Sequence, residues 1–111
     1  MAIRLTEHGL TQLGAWRRSD AYASVAHLVQ GGHAPFGLDF DLPPEWRTRR
    51  NVVYAFVAGD AVLYVGETSK GMAERFACYR YGNTVVGDTD NRVKCAITRE
   101  LLQGVDVGIW A

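Results

Sequence analysis

The chain has 111 residues and a formal net charge of zero, a length that fits one domain with one hydrophobic core. Hydrophobic residues make up 48% and charged residues 22% of it, which argues against disordered, collagen-like and coiled-coil proteins. No apolar run approaches the roughly 20 residues needed to cross a bilayer, and the first residues lack the apolar core of a secretory signal. We therefore expect a cytoplasmic protein with no membrane partner.

The neutral total hides an uneven distribution of charge. Between Trp46 and Arg99, nine basic residues stand against five acidic ones. Phosphate groups are bound by local clusters of lysine and arginine, whatever the net charge of the whole chain. The C-terminal half can therefore bind a polyanion.

The first 45 residues predict a helical segment followed by a linker. From residue 5 to residue 29, apolar side chains recur every three or four positions, which is the spacing of a helix with one buried face. A break near Ser19 divides this stretch into two short helices. Glycines and prolines crowd residues 31–45, which indicates an irregular connection with a short extended piece at residues 36–40. We expect residues 1–45 to pack on a domain formed by residues 46–111, as a single compact unit.

The second half predicts the order strand, strand, helix, helix, strand. Residues 52–57 and 61–65 are β-branched and aromatic, and the Gly59-Asp60 turn between them is typical of a hairpin. Two helices follow, the second capped by Asp90. Residues 105–110 then form a third strand. The expected fold class is α+β, with a small three-stranded antiparallel-type sheet flanked by helices and the helical segment N-terminal to it.

Three segments of this half carry a family pattern: Val52-Val53-Tyr54, then Tyr64-Val65-Gly66-Glu67-Thr68, then Met72-Ala73-Glu74-Arg75. On these segments, residues 51–110 resemble the GIY-YIG nuclease domain. The signature of that family is a GIY-like strand, a YIG-like strand shortly after it, and a helix that carries an arginine. The resemblance implies a DNA endonuclease, a hydrolase that cleaves phosphodiester bonds with Mg²⁺ or Mn²⁺.

Matching positions in this pattern imply four catalytic residues. Tyr54 is the implied general base, or its partner through a water, and Tyr64 positions the water and the phosphate. Arg75 stabilises the charge on the phosphate in the transition state, and Tyr79 stands where many family members have histidine. The substrate-binding residues that we expect are Gly66, whose backbone can pass close to the substrate, together with Lys70, Arg49, Arg50 and Asn91.

The residue types support these roles, but they also allow plainer ones. Tyr54 and Tyr64 lie on adjacent strands of a hairpin, so both phenols can emerge on one face. Arg75 and Tyr79 are four residues apart and share one face of a helix. A guanidinium binds phosphate oxygens in a fork geometry, and a phenol becomes a base where positive charge favours the phenolate. The tyrosines could instead be ordinary core aromatics, and the basic run at residues 47–50 could be a solvated approach to a strand.

The metal site departs from the family pattern. In the family, the metal-binding glutamate lies on a helix after the third strand, and the sequence ends at Ala111 before such a helix. The metal ligand is therefore unassigned, with Glu67, Glu74 and Glu100 as the nearby carboxylates. The alternative function is a non-catalytic domain of the same type that binds nucleic acid or has a structural role. The oligomeric state is not predicted.

Overall fold

A computed structural model describes residues 5–19, 36–81 and 89–111 of the chain. After a 3-10 helix at Leu5–His8, the elements in chain order are β1 (Gln12–Ser19), β2 (Gly37–Asp41), α1 (Pro44–Arg47), β3 (Val52–Ala58), β4 (Ala61–Thr68), α2 (Met72–Tyr81), α3 (Thr89–Leu102) and β5 (Val107–Trp110). The hairpin, the two longer helices and the last strand occupy the positions that the sequence predicts. The extended piece expected at residues 36–40 is β2.

The sheet has five strands, so the prediction of a three-stranded sheet was wrong. The strand order is β2-β1-β5-β3-β4, and every pairing is antiparallel. The added strands come from the first 45 residues, because β1 pairs with β2 on one side and with β5 on the other. Trp16 of β1 stands opposite Phe40 and opposite Val107 in these two registers.

The helix predicted across residues 12–19 was also wrong, and a β-bulge contributes to the reason. The register between β1 and β5 shifts between Gln12 and Gly14. An extra residue at a bulge interrupts the two-residue alternation of a strand, so Leu13 and Trp16 both contribute to the core although they are three residues apart. The rest of the predicted helical segment, residues 20–29, lies outside the described residues.

Strand β2 at the edge of the sheet is tied to its neighbours by charge. Arg17 of β1 donates to Asp39 at 2.8 Å and to Asp41 at 3.0 Å. On the other side, Arg80 near the end of α2 donates to Asp39 at 2.9 Å, and its side chain is only 11% exposed. Asp39 therefore links the edge strand to the helix that carries Arg75 and Tyr79.

The core is one aromatic cluster between the sheet and α2. The Trp16 ring lies 5.3 Å from Phe40, 5.4 Å from Phe56 and 5.7 Å from Phe76, measured between ring centroids. Phe76 comes from α2 and also contacts Tyr54, with centroids 5.0 Å apart. The core therefore extends directly into the predicted catalytic tyrosines. Within the three described ranges, no helix is both long and apolar enough to cross a membrane.

Candidate active site

Three tyrosines from β3, β4 and α2 form one cluster. Phe56 stands opposite Tyr64 in the hairpin and Tyr54 stands opposite Gly66, so Tyr54 and Tyr64 share the face of the sheet that α2 covers. The ring centroids are 6.4 Å apart for Tyr54 and Tyr64, 6.3 Å for Tyr54 and Tyr79, and 5.8 Å for Tyr64 and Tyr79. The structure therefore brings together the three tyrosines that the sequence singles out. We call them the tyrosine cluster.

The members of the tyrosine cluster differ in their exposure. Tyr54 and Tyr79 are both fully buried, and their hydroxyl oxygens form a hydrogen bond of 2.5 Å in which either can be the donor. Tyr64 is only partly buried and packs against this pair. Of the three phenols, Tyr64 is therefore the one with access to solvent.

Arg75 lies beside the tyrosine cluster, one helical turn before Tyr79. Its guanidinium carbon is 4.4 Å from the centroid of the Tyr79 ring, a cation–π contact. Its Nη2 donates to Oδ1 of Asp90, in the first turn of α3, at 2.9 Å. Both side chains of this ion pair are 24% exposed. The guanidinium is thus held by a ring on one side and by a carboxylate on the other, and part of it reaches solvent.

The surroundings of the site shift the pKa values of the two inner phenols and of Arg75. Burial raises the pKa of Tyr54, although the hydrogen bond with Tyr79 and the charge of Arg75 act in the opposite direction. Burial also raises the pKa of Tyr79, with a further contribution from the hydroxyls of Tyr54 and Tyr64. The pKa of Arg75 is raised as well, because the hydrogen bond to Asp90 and the neighbouring phenols outweigh the lowering caused by burial. At neutral pH, the two inner phenols are therefore neutral and lie next to a permanent cation.

Gly66 makes room for the tyrosine cluster. A Cβ atom at this position would lie 2.6 Å from Cε2 of Tyr64 and 2.9 Å from the hydroxyl oxygen of Tyr54. Both distances are shorter than an ordinary van der Waals contact. The sequence interpretation of Gly66 concerned the approach of substrate, whereas the structure shows the glycine in contact with the two phenols.

The described contacts of Arg49 and Arg50 are with residues outside the tyrosine cluster. Arg49, Arg50 and Lys70 are exposed where the ends of the hairpin meet the start of α2. Arg50 donates to the Ser69 carbonyl at 2.9 Å, and Arg49 lies over the Trp46 ring at 3.8 Å. Next to them is a cleft of about 400 Å³, lined by Asn51, Val52, Val53, Glu67, Thr68 and Ser69. Asn91 lies in the first turn of α3, directly after Asp90.

The carboxylates of the described residues do not form a cluster of metal ligands. In the part of the chain that the structure describes, no three His, Cys, Asp or Glu side chains come close enough together to hold a metal ion. The three carboxylates that the sequence offers lie on separate elements, with Glu67 on β4, Glu74 on α2 and Glu100 on α3. A fourth carboxylate, Asp90, pairs with Arg75 beside the tyrosine cluster.

Sequence reasoning missed two features of this site. Asp90 was predicted only as a helix cap, and its ion pair with Arg75 joins two different helices. The second feature is a cleft of about 300 Å³ between β4 and α3, lined by Leu63, Tyr64, Thr89, Arg92, Val93 and Ala96. The cleft opens beside the accessible phenol of Tyr64 and has the exposed Arg92 on its wall. The only sequence signal for either feature is the charged first turn of α3.

No family model matches the chain, and no curated protein matches it in sequence. Two solved structures have a similar fold. A mutant of bacteriophage T4 EndoII aligns with a TM-score of 0.61 and 19% sequence identity, over 95% of this chain and 66% of that one. The restriction endonuclease HPY188I in complex with product DNA aligns with a TM-score of 0.64 and 12% identity, over 99% of this chain and 60% of that one. The chain thus has the fold of these two structures and spans no more than about two thirds of their length.

Proposed function

We propose that this domain is a DNA endonuclease of the GIY-YIG type in which Arg75 binds the phosphate that is cleaved. One observation carries the proposal: a partly exposed guanidinium is fixed at the margin of a cluster of three phenols. The fold supports it, because two endonucleases share this fold and one of them is bound to product DNA. The sequence pattern of the hairpin and α2 supports it independently.

We assign roles to the four proposed catalytic side chains from their exposure to solvent. Arg75 has five N–H donors, and one of its two Nη groups binds Asp90, so other donors remain for phosphate oxygens. Tyr64 is partly exposed, and its proposed role is to orient a water against the phosphate. Tyr54 is the proposed general base, and because its own side chain is fully buried, its proton route to this water runs through the hydroxyls of Tyr79 and Tyr64. Tyr79 supports Tyr54 through their hydrogen bond.

The raised pKa of Tyr54 sets a condition for this role. A phenol that is neutral at pH 7 accepts a proton only after nearby positive charge has favoured its phenolate. Arg75 supplies such charge, but burial still leaves the pKa of Tyr54 above its usual value. A phenolate at Tyr54 therefore needs a second positive charge at the site, and the phenol proton leaves to solvent before the water attacks. The resemblance adds Mg²⁺ or Mn²⁺ as the expected cofactor, and the described residues identify no ligand set for it.

Exposed cations around the tyrosine cluster are the proposed contacts to the DNA backbone. Arg49 and Arg50 lie between α1 and β3, and Lys70 lies just before α2. Arg92 lies near the start of α3. Each phosphate contact releases counterions from DNA, so the affinity falls steeply with salt. A second function, DNA binding without cleavage, is favoured by the raised pKa values of the two inner phenols, which make Tyr54 and Tyr79 poor bases at neutral pH.

Nicking of supercoiled plasmid tests the proposal, with Mg²⁺, with Mn²⁺ and with a chelator. Arg75→Ala should lower the cleavage rate by about 10²-fold or more, because it removes the donor that stabilises developing negative charge. Arg99→Ala is the matched control, since Arg99 is exposed on α3 and has no role in the proposal. Cleavage by Arg75→Ala at the rate of the unmodified protein would contradict the role of Arg75. Salt-dependent DNA binding without any cleavage would support the second function instead.

A further inference from the structure

We infer that Asp90 is a positioning residue that holds the Arg75 guanidinium in the orientation needed to receive a phosphate. The inference rests on the proposed function, since it assigns a second residue to the same site. Its basis is the ion pair between Nη2 of Arg75 on α2 and Oδ1 of Asp90 on α3, at 2.9 Å. Neither the family pattern nor the fold comparison points to Asp90.

Two contacts, one on the face of the Arg75 guanidinium and one at its edge, restrict the motion of the group. The Tyr79 ring covers one face at 4.4 Å, and Asp90 holds one Nη group at the edge. An arginine side chain has many rotamers, and ordering them when substrate binds costs free energy. Asp90 and Tyr79 impose that order before the substrate arrives, and the exposed quarter of the Arg75 side chain is the part left to receive a phosphate.

The charge of Asp90 acts against its geometric effect. A carboxylate next to the phosphate-binding group repels an incoming phosphate, which weakens binding of the ground state. The fixed orientation, by contrast, favours the transition state, where reacting groups must be placed within a fraction of an ångström. Asp90 should therefore raise the turnover number and also raise KM.

Two substitutions separate these effects. Asp90→Asn keeps an oxygen that accepts the hydrogen bond and removes the charge, whereas Asp90→Ala removes both. For Asp90→Ala we expect kcat to fall by at least about tenfold with no rise in KM. For Asp90→Asn we expect kcat to stay within about threefold of the unmodified protein, with a lower KM. Asp106→Asn is the control, because Asp106 is an exposed aspartate between α3 and β5.

A purely structural ion pair would give a different result. Asp90 and Arg75 also join two helices that pack on each other, so loss of the pair can lower the stability of the protein. In that case kcat measured well below the unfolding temperature would not change in Asp90→Ala. An unchanged kcat in Asp90→Ala, or equal losses in Asp90→Ala and Asp90→Asn, would overturn the inference.

NMR of the guanidinium group tests the same inference without any cleavage assay. With ¹⁵N-labelled arginine, the Arg75 signals are assigned by their loss in Arg75→Lys. We expect separate, slowly exchanging Nη signals for Arg75 in the unmodified protein and in Asp90→Asn, and averaged signals in Asp90→Ala. Arg99 should give averaged signals in all of them, since it is exposed.

The two readouts separate the inference from the proposed function. If Arg75 is equally ordered in Asp90→Ala and in the unmodified protein, Asp90 does not position it, whatever the nuclease activity. If Asp90 orders Arg75 but the unmodified protein cleaves no DNA, the proposed function fails and the positioning by Asp90 is supported.

Discussion

The substitution Gly66→Ala tests how closely the backbone of β4 is matched to the tyrosine cluster. The new methyl carbon would lie 2.6 Å from Cε2 of Tyr64 and 2.9 Å from the Tyr54 hydroxyl oxygen. Carbon atoms normally approach to about 3.5–4.0 Å, so the overlap with the Tyr64 ring is about 1 Å. Tyr64 is partly exposed and can move away, whereas Tyr54 is fully buried and hydrogen-bonded to Tyr79. We therefore expect the strain to be relieved mainly by displacement of Tyr64.

The magnitude follows from this overlap. Overpacking of a buried site costs about 1–3 kcal/mol of unfolding free energy. With the urea dependence of a domain of this size, the urea midpoint falls by about 1 M or more. Displacement of a catalytic group by about 1 Å can cost about 10²-fold in rate. Gly66→Ala should therefore lower both the stability and the DNA cleavage, with the larger effect on cleavage under conditions in which the protein is folded.

Urea denaturation and plasmid nicking measure the two effects, and Gly71→Ala is the control. Gly71 precedes α2, and the nearest atom to a Cβ there is the Arg47 carbonyl oxygen at 3.4 Å. Its substitution should change the urea midpoint by much less. If Gly66→Ala kept the stability and the cleavage rate of the unmodified protein, the conclusion that a Cβ at position 66 displaces the phenols would be wrong.

Two further predictions concern buried charge outside the tyrosine cluster. Lys94 is fully buried on α3, and burial lowers its pKa from 10.5 to about 8. Since the unfolded chain then binds more protons than the folded one, the stability should rise by about 2 kcal/mol between pH 7.5 and pH 9.5. Urea denaturation at several pH values should show this rise, and Lys94→Met should abolish it. Asp39→Ala removes the ion pair between Asp39 and the nearly buried Arg80 and should cost about 2 kcal/mol or more. Asp41→Ala, at a carboxylate that is 64% exposed, should cost less than about 1 kcal/mol; equal losses in the two variants would contradict the role of Asp39.

The parts of the structure that the sequence predicts are governed by local patterns. The hairpin of β3 and β4 depends on alternation and on a glycine turn, and both lie within a short stretch of chain. The faces shared by Tyr54 and Tyr64, and by Arg75 and Tyr79, follow from strand and helix geometry once those elements are placed. Convergence of these four residues was predictable for this reason, and the structure brings them together.

The parts that escaped prediction depend on contacts between distant segments. Strand β1 pairs with β5, which lies at the opposite end of the sequence. A strand partner so distant in sequence leaves no local pattern in the residues of β1. In addition, the bulge near Gln12 gives the apolar residues of β1 a spacing that also fits a helix. The ion pair between Arg75 and Asp90 depends on how α2 packs against α3, which no pattern within either helix determines.

The difference in burial among the three tyrosines also depends on contacts between distant segments, and it affects how the site can work. Tyr54 contacts Phe76 with centroids 5.0 Å apart and Phe56 at 5.4 Å, so this tyrosine is as much a core residue as a site residue. The sequence left open whether Tyr54 is a core residue or a site residue. The two roles are compatible for Tyr54, because its packing in the core fixes its hydroxyl against that of Tyr79. Close-packed interiors hold side chains in single rotamers, and the same packing can hold the inner phenols still while Tyr64 and Arg75 face the solvent. A core substitution such as Phe76→Leu should accordingly disturb the site through Tyr54, although Phe76 itself is fully buried.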